Sequence, residues 1–303
     1  MKKIKNLSII FILLYIILQI ILNSSLINKT ILFSYNIFIY TIVPNLFPFL
    51  IISRFLINYG FVDICYKIFN PIMNKIFRIN GNASFIFIMS MLTGFPSNSK
   101  YTKELLDNDQ ISSLTGTKVL MFTHFSNPLF VIGTIESFIN LKTALIILFS
   151  HYIGNIIIGF IFRNAYLDNK EYIVKSKKRD SFGLCLSKSV KGSIDTLLLI
   201  FGTMTIFLII SNLINNILNL SSENNAILAG ILEFTQGLKY VSLLDVDVKI
   251  KAMLMGSFIS FGGLSVHAQI LSIIGETDIL YIPFLISRIL HSIITSLIIY
   301  LIL

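Results

Sequence analysis

Four short polar stretches interrupt an otherwise apolar sequence, and they hold the residue types that could bind a small solute. The first half contains residues 94–99 and 123–128, and the second half contains residues 233–237 and 260–265. Proline and paired glycines in these stretches free backbone amides and carbonyls from a helix, and such free groups bind solutes in membrane transporters. The candidate binding residues are Ser97, Asn98, Ser99, Ser126 and Asn127 in the first half, and Glu233, Gln236, Gly262, Gly263, Ser265, His267 and Gln269 in the second.

Ionisable residues within the apolar segments are a further group of candidates, because a charge inside a bilayer is costly. Glu233 could bind a cation or take up a proton, or it could be an interfacial acid at the tip of a helix. His124, His267 and His291 could titrate near neutral pH, or they could be hydrogen-bonded structural residues. We expect Arg288 to pair with a carboxylate such as that of Glu233, or with carbonyl groups at a helix end.

Signatures of catalysis and of metal binding are absent from the sequence. It has no P-loop, no GxSxG motif, no dinucleotide-binding fingerprint and no pair of acids at catalytic spacing. The histidines form no HExxH pattern, and Cys65 and Cys185 form no CxxC pattern, so no metal site is predicted. The sequence therefore predicts a protein that is not an enzyme, with no catalytic residues and no cofactor.

The segments that must position these candidates are too apolar for a soluble protein. Hydrophobic residues make up 55% of the chain and charged residues 13%, with a mean hydropathy of +0.82. Several runs reach the roughly 20 apolar residues that a helix needs to cross a bilayer. The sequence predicts an all-α, polytopic membrane protein, with apolar segments near residues 7–22, 33–57, 83–95, 114–138, 144–162, 194–218, 226–234, 252–274 and 279–303.

Two of these segments, 83–95 and 226–234, are too short to span, and each ends in a polar stretch. A half-helix that enters the membrane and turns back explains both. The longer segment after each is broken near its middle, and a gap-free shift of 136 positions, which lays Gly94 on Gly230, matches this order. We predict an N-terminal span and external loop at residues 1–32, two inverted repeats at 33–163 and 193–303, and a basic cytoplasmic linker at 164–192.

The positive charges predict the orientation in the membrane. With both short segments re-entrant, the N-terminus and the basic linker lie in the cytoplasm, as the positive-inside rule requires. The lysines and arginines left outside are Lys29, Lys142, Lys239, Lys249 and Lys251. The net charge of +9 therefore serves topology and contact with anionic lipid, and we expect no binding of nucleic acid.

Four motifs resemble a known family. They are Gly94–Lys100 (GFPSNSK), Phe125–Thr134 (FSNPLFVIGT), Leu232–Gly237 (LEFTQG) and Ser260–Gln269 (SFGGLSVHAQ). In these motifs the chain resembles the YlbJ family of sporulation integral membrane proteins, within the nucleoside-recognition, or Gate, superfamily. The resemblance implies a role in endospore formation, in building the spore cortex, at the plasma membrane of a spore-forming bacterium.

Two functions fit these observations best; a third, a membrane enzyme acting on a lipid-linked cortex precursor, is disfavoured because no catalytic pair appears. The first is a permease-like transporter of an unidentified small polar or charged solute or ion, with its site at the broken helices near the middle of the membrane. The alternative is a non-transporting scaffold for other sporulation membrane proteins, in which the small residues serve only packing. Candidate partners are membrane lipid, the solute, other sporulation membrane proteins and a second copy of the chain.

Overall fold

The computed structural model of the chain describes residues 2–168 and 179–303. Within these ranges it contains α-helices, two π-helical turns at Phe38–Ile42 and Met73–Phe77, short connections, and no strand. The prediction of an all-α protein is confirmed. The helices are α1 (Lys2–Leu22), α2 (Ser24–Ile37), α3 (Val43–Asn58), α4 (Phe61–Ile72), α5 (Ala83–Thr93), α6 (Ser97–Asp107), α7 (Ser113–Phe122), α8 (Pro128–Phe138), α9 (Leu141–Ile161), α10 (Phe182–Leu218), α11 (Ser222–Leu232), α12 (Phe234–Leu243), α13 (Val248–Phe261), α14 (Gly263–Ile274) and α15 (Tyr281–Ile302).

The helices carry their apolar residues outward and many of their polar residues inward. On α15, Ile293 and Leu297 are exposed, whereas Arg288 and His291 are fully buried. A helix surrounded by lipid shows this arrangement, because polar side chains find partners only inside the bundle. In the described part of the chain, the stretches long and apolar enough to cross a membrane are Ser24–Asn58, Leu141–Ile161, Phe182–Leu218, Val248–Ile274 and Tyr281–Ile302. The chain is therefore a multi-span membrane protein.

The first half begins with a long rod and continues into a helical hairpin. The rod consists of α2, the π-helical turn at Phe38–Ile42 and α3 in one uninterrupted run. After α4, helices α5 and α6 form the hairpin, which turns at residues 94–96. The amide of Asn82, before α5, donates to the carbonyl of Gln110, after α6, at 2.9 Å. The hairpin therefore starts and ends on the same side, and the broken pair α7 and α8 and the closing helix α9 follow it.

The second half repeats this order of elements. A long helix, α10, precedes the hairpin of α11 and α12, the broken pair α13 and α14, and the closing helix α15. The two arms of the hairpin touch at Gly230 and Gly237, where a Cβ on Gly237 would collide with the backbone of Gly230. Because these glycines lie at similar distances from the turn at Glu233, the two short helices run antiparallel.

The two halves share one hydrophobic core. Its largest cluster joins Leu120 of α7, Ile147 of α9, Phe258 and Ile259 of α13, and Phe284 of α15. The rod and α10 pack against each other through a separate cluster that includes Leu50 and Leu197. These contacts place the helix breaks of both halves at the centre of the molecule.

One boundary differs from the sequence interpretation. Helix α10 begins at Phe182, so residues that the sequence assigned to the linker at 164–192 are helical. The lysines of that linker between residues 169 and 178 lie outside the described residues. Serines and lysines lower the hydropathy of the first turns of α10. Because the sequence analysis located helices by apolar runs, it began this segment near residue 194.

Candidate functional site

The break between α7 and α8 is held by the side chain of Asn127. Its Oδ1 accepts the backbone N–H of Phe130 at 3.1 Å and so caps the start of α8. Its Nδ2 donates to the carbonyl of Leu92 in α5 at 3.1 Å and to the carbonyl of Asn45 in α3 at 3.3 Å. One amide side chain therefore joins the broken helix, the hairpin and the rod.

The break between α13 and α14 depends on two glycines with positive φ. Gly262 has φ of 90° and Gly263 has φ of 69°, in the left-handed region that glycine adopts most readily. A Cβ on Gly262 would lie 2.8 Å from Nε2 of His124, and one on Gly263 would lie 3.0 Å from the amide nitrogen of Phe234. The absence of side chains here brings the break of the second half against both the first half and the α11–α12 hairpin.

Glu233 lies between the N-termini of two helices. Its Oε1 accepts the backbone N–H of Thr235 at 3.0 Å and the hydroxyl of the same residue at 2.8 Å, at the start of α12. Its Oε2 accepts the hydroxyl of Ser265, in the first turn of α14. Helix N-termini attract negative charge. Across residues 2–168 and 179–303, no ion pair involves Glu233, so donor groups and helix ends are what stabilise its carboxylate.

Arg288 takes the second of the two partners that the sequence left open. It is fully buried in α15, and its Nη2 donates to the carbonyl of Met121 in the last turn of α7. Its Nη1 donates to Oδ1 of Asn155 at 3.2 Å and to Nδ1 of His291 at 2.8 Å. The negative end of α7 is therefore the partner of this cation, and the expected pairing with the carboxylate of Glu233 is not found.

His151 of α9 connects the two breaks and was missed by the sequence argument. Its Nε2 accepts the backbone N–H of Ser126 at 2.9 Å. Its Nδ1 must then carry the proton of a neutral ring, and it donates to the hydroxyl of Ser260 at 2.9 Å. Ser126 belongs to the first break and Ser260 to the second. No local pattern in the sequence marks this histidine, because both of its partners are distant along the chain.

The other histidines differ in their hydrogen bonding. Nε2 of His267 lies 3.1 Å from the carbonyl of Phe261, and its Nδ1 lies 2.9 Å from the hydroxyl of Tyr281. His124 is buried, stacks on the ring of Phe95 with centroids 4.3 Å apart, and has no hydrogen-bond partner on either nitrogen in the described structure. Both ring nitrogens of His267 therefore have partners within the protein, whereas those of His124 have none among the described residues.

A small cavity of about 60 Å³, here called the central pocket, lies where the breaks meet. Rings of Phe95, Phe130 and Phe234 form part of its wall. Its polar lining residues are Thr41, Asn45, Ser126, Asn127, Glu233, Thr235 and Gln269. The structure thus brings four of the predicted residues together: Ser126, Asn127, Glu233 and Gln269.

The remaining predicted residues do not line the central pocket. These are Ser97, Asn98, Ser99, Gln236, Gly262, Gly263, Ser265 and His267. The hydroxyl of Ser99 donates to the carbonyl of Pro96 at 2.7 Å, and Gln236 donates to Asn212 at 2.8 Å and to Tyr240 at 2.9 Å. These bonds hold the two hairpins in shape and to their neighbours.

Thr41 and Asn45 are pocket residues that the sequence argument missed. They belong to the rod, at the π-helical turn and in the first turn of α3. Pro44 and Pro48 gave a signal in the sequence, since proline removes an N–H from a helix, but they lie within a long apolar run. The sequence therefore showed a membrane span there, and nothing local indicated which of its faces would meet the breaks.

A larger cavity of about 890 Å³, here called the charged vestibule, lies between the ends of α3, α6, α10 and α14. Helices α3, α10 and α14 line the central pocket as well. The ammonium group of Lys100 bonds to the carbonyl of Gly192 and the hydroxyl of Thr196, which ties α6 to α10. The basic residues of the vestibule are Arg54, Lys100, Lys103, Arg179, Lys188 and Lys191, and its acidic residues are Asp63, Glu104, Asp107, Asp180, Asp195 and Glu276.

Comparison with known proteins places this architecture in a family. The family described as Gate, nucleoside recognition, matches residues 39–165. The sporulation integral membrane protein YlbJ of Bacillus subtilis (strain 168) is 30% identical over 292 residues, covering 83% of this chain and 71% of that protein. The chain belongs to the YlbJ family. No solved structure matches it.

The match to the Gate family covers the first half of this YlbJ-family protein. It runs from the π-helical turn through the α5–α6 hairpin and the first break to the end of α9. The similarity to the Bacillus subtilis protein extends over most of the chain, and so includes more than this half. The family of sporulation membrane proteins that the motifs suggested is confirmed.

Proposed function

We propose that this YlbJ-family protein is a permease-like transporter that moves a small polar or charged solute across a membrane of the sporulating cell, and so contributes to the spore cortex. The observation that carries the proposal is the central pocket, where breaks from both halves, hairpin tips and the rod converge. Free helix ends and polar side chains inside an apolar bundle are costly, and transporters use them for solute binding.

The volumes of the two cavities limit what each can hold. Pockets for organic ligands typically enclose about 300–1,000 Å³. The charged vestibule, at about 890 Å³, falls in that range, whereas the central pocket, at about 60 Å³, holds only water, an ion or one polar group of a larger solute. A whole nucleoside, the ligand class in the description of the Gate family, requires the central pocket to widen.

The charged vestibule also supports the proposed orientation. Its six basic residues all belong to the set that the positive-inside rule assigns to the cytoplasm. Their clustering at one end of the bundle favours two inverted repeats, with the vestibule as the cytoplasmic approach to the central pocket. Single cysteines at positions 188 and 239, labelled from outside in intact cells, test this; labelling at 188 contradicts the orientation.

A scaffold function remains the second candidate, and a specific observation favours it. Glu233, Asn127 and His267 bond to groups within the protein and hold the breaks in place. Residues that only stabilise a fold serve a scaffold equally well. Under this hypothesis the partners are other membrane proteins of sporulation, and no solute crosses.

Reconstitution separates the two functions. Purified protein in liposomes is incubated with a metabolite extract of sporulating cells, and the contents of the vesicles are analysed by mass spectrometry. We expect at least one compound to accumulate above protein-free liposomes, and less of it with Glu233→Gln, which keeps the size of the side chain and removes its charge. If the wild-type vesicles contain nothing above the protein-free control, the transporter proposal is wrong and the scaffold is favoured.

A further inference from the structure

The polar groups that the helix breaks supply to the central pocket are largely occupied. Glu233 accepts three hydrogen bonds, from both donors of Thr235 and from Ser265. Asn127 uses its oxygen to cap α8 and its nitrogen to reach two backbone carbonyls. The hydroxyl of Thr235 is used by Glu233. A solute that bonded to these groups would have to replace bonds that hold the breaks together.

Other polar groups in the pocket make no hydrogen bond in the described part of the chain. They are the hydroxyl of Thr41, the amide of Asn45, the hydroxyl of Ser126 and the amide oxygen of Gln269, whose nitrogen is used by Thr203. Two of these four residues, Thr41 and Asn45, belong to the rod. Polar groups inside a membrane protein normally find partners, because hydrocarbon offers none. The groups left free at a cavity are therefore the ones available to a ligand.

The local structure of the rod explains why Thr41 and Asn45 face the pocket together. They are four residues apart, so they lie on one face of a helix. Thr41 lies in the π-helical turn Phe38–Ile42, and Ile42 and Leu46, one position after each, also line the pocket. Single π-helical turns inside α-helices occur frequently at functional sites.

We infer that Thr41 and Asn45 contact the solute, whereas Asn127, Glu233 and Thr235 hold the pocket in shape. A hydroxyl and a primary amide each donate and accept hydrogen bonds, so the pair fits a solute group that also does both, such as a hydroxyl or an amide. The rings of Phe95, Phe130 and Phe234 form the apolar wall of the pocket. This inference rests on the proposed transport function and assigns its specificity to the rod.

The test uses Thr41→Val and Asn45→Leu, which keep the approximate size of each side chain and remove its hydrogen bonding. Asn36→Leu is the matched control, because Asn36 is an exposed asparagine on the same rod and does not line the pocket. Each variant is reconstituted in liposomes and given the sporulating-cell extract at a series of dilutions. Thermal unfolding of each variant is measured in parallel.

We expect Asn45→Leu and Thr41→Val to reduce accumulation from dilute extract about tenfold, with recovery in concentrated extract, as the loss of one or two solute hydrogen bonds predicts. Their melting temperatures should match the wild type, because neither side chain has an internal bond to lose, and Asn36→Leu should transport normally. If the wild type accumulates a compound and both pocket variants accumulate it equally well, this inference is wrong and the transport proposal stands. If the wild type accumulates nothing, both are wrong.

Discussion

Replacing Asn127 separates two roles that its side chain combines. Asn127→Ala removes the cap of α8, worth about 1 kcal/mol. It also leaves buried carbonyls, including that of Leu92, without their donor, at a cost of roughly 1–3 kcal/mol. We expect a total loss of about 2–4 kcal/mol in the free energy of unfolding. Because the unfolding entropy grows with chain length, this loss lowers the melting temperature of a 303-residue chain by roughly 3–6 °C.

Asn127→Asp isolates the contact between helices. An aspartate keeps the oxygen that caps α8, and its charge suits a helix N-terminus. It loses the N–H groups that reach Leu92 and Asn45, and it places a carboxylate against their carbonyl oxygens. We therefore expect Asn127→Asp to be at least as destabilising as Asn127→Ala.

Asn140 provides the matched control, because its side chain caps α9 through the backbone N–H of Thr143 at 2.8 Å and makes no hydrogen bond to another helix within residues 2–168 and 179–303. We expect Asn140→Ala to cost about 1 kcal/mol and Asn140→Asp to cost almost nothing. If Asn127→Asp is as stable as Asn140→Asp, the cap alone matters and Asn127 does not join the helices.

The two native cysteines supply the assay. Both are buried, so a thiol-reactive dye reports unfolding as they become exposed on heating in detergent. Burial also raises the pKa of Cys65, in α4, to about 11, which keeps this thiol protonated and unreactive at neutral pH while the protein is folded. No engineered cysteine is needed to compare the variants.

Three further substitutions have measurable outcomes, the first two in the same assay. Gly262→Ala should destabilise the folded protein by about 2–4 kcal/mol, because φ is 90° and the new Cβ would lie 2.8 Å from the ring of His124. Gly202→Ala is the control, because the position has open space around it, and it should be neutral or slightly stabilising. Arg288→Lys should cost about 2–3 kcal/mol, since one ammonium cannot reach acceptors on three helices, and an unchanged melting temperature would contradict this. Lys100→Met should loosen the contact between α6 and α10 and make a cysteine introduced at Leu199, which lines the vestibule, more reactive to thiol reagents. Unchanged reactivity would show that other contacts hold these helices together.

Local sequence features predicted the breaks, but not how they are joined. Pro128, the pair Gly262 and Gly263, and the acid at Glu233 disrupt or cap helices through their own chemistry, and the structure breaks its helices at these positions. The role of His151 depends on tertiary packing instead, because it bonds to Ser126, in the break between α7 and α8, and to Ser260 of α13. Which helix faces meet is a property of the assembled bundle, and a single sequence carries no direct signal for it.

The same reasoning explains the outcome for Arg288. The sequence left two partners open for this cation, a carboxylate such as that of Glu233 or carbonyl groups at a helix end, because a list of charged residues does not choose between them. The structure uses the partial charge at the end of a helix, which exists only once α7 has ended at Phe122 beside α15. Breaking a membrane helix creates such ends, so broken helices can stabilise buried ions without ion pairs.

The two carboxylate oxygens of Glu233 allow its structural role to coexist with the transport role that we propose. A glutamine there would keep one oxygen for the N–H of Thr235, but its amide nitrogen would face the hydroxyl of Ser265, which would have to reverse its role from donor to acceptor. Hydroxyls can rotate in this way at little cost, whereas the backbone N–H cannot. Under the proposed transport function, Oε2 is therefore the oxygen at which Glu233 would take up a proton or bind a cation, with Ser265 turning to follow, while Oε1 continues to hold the start of α12.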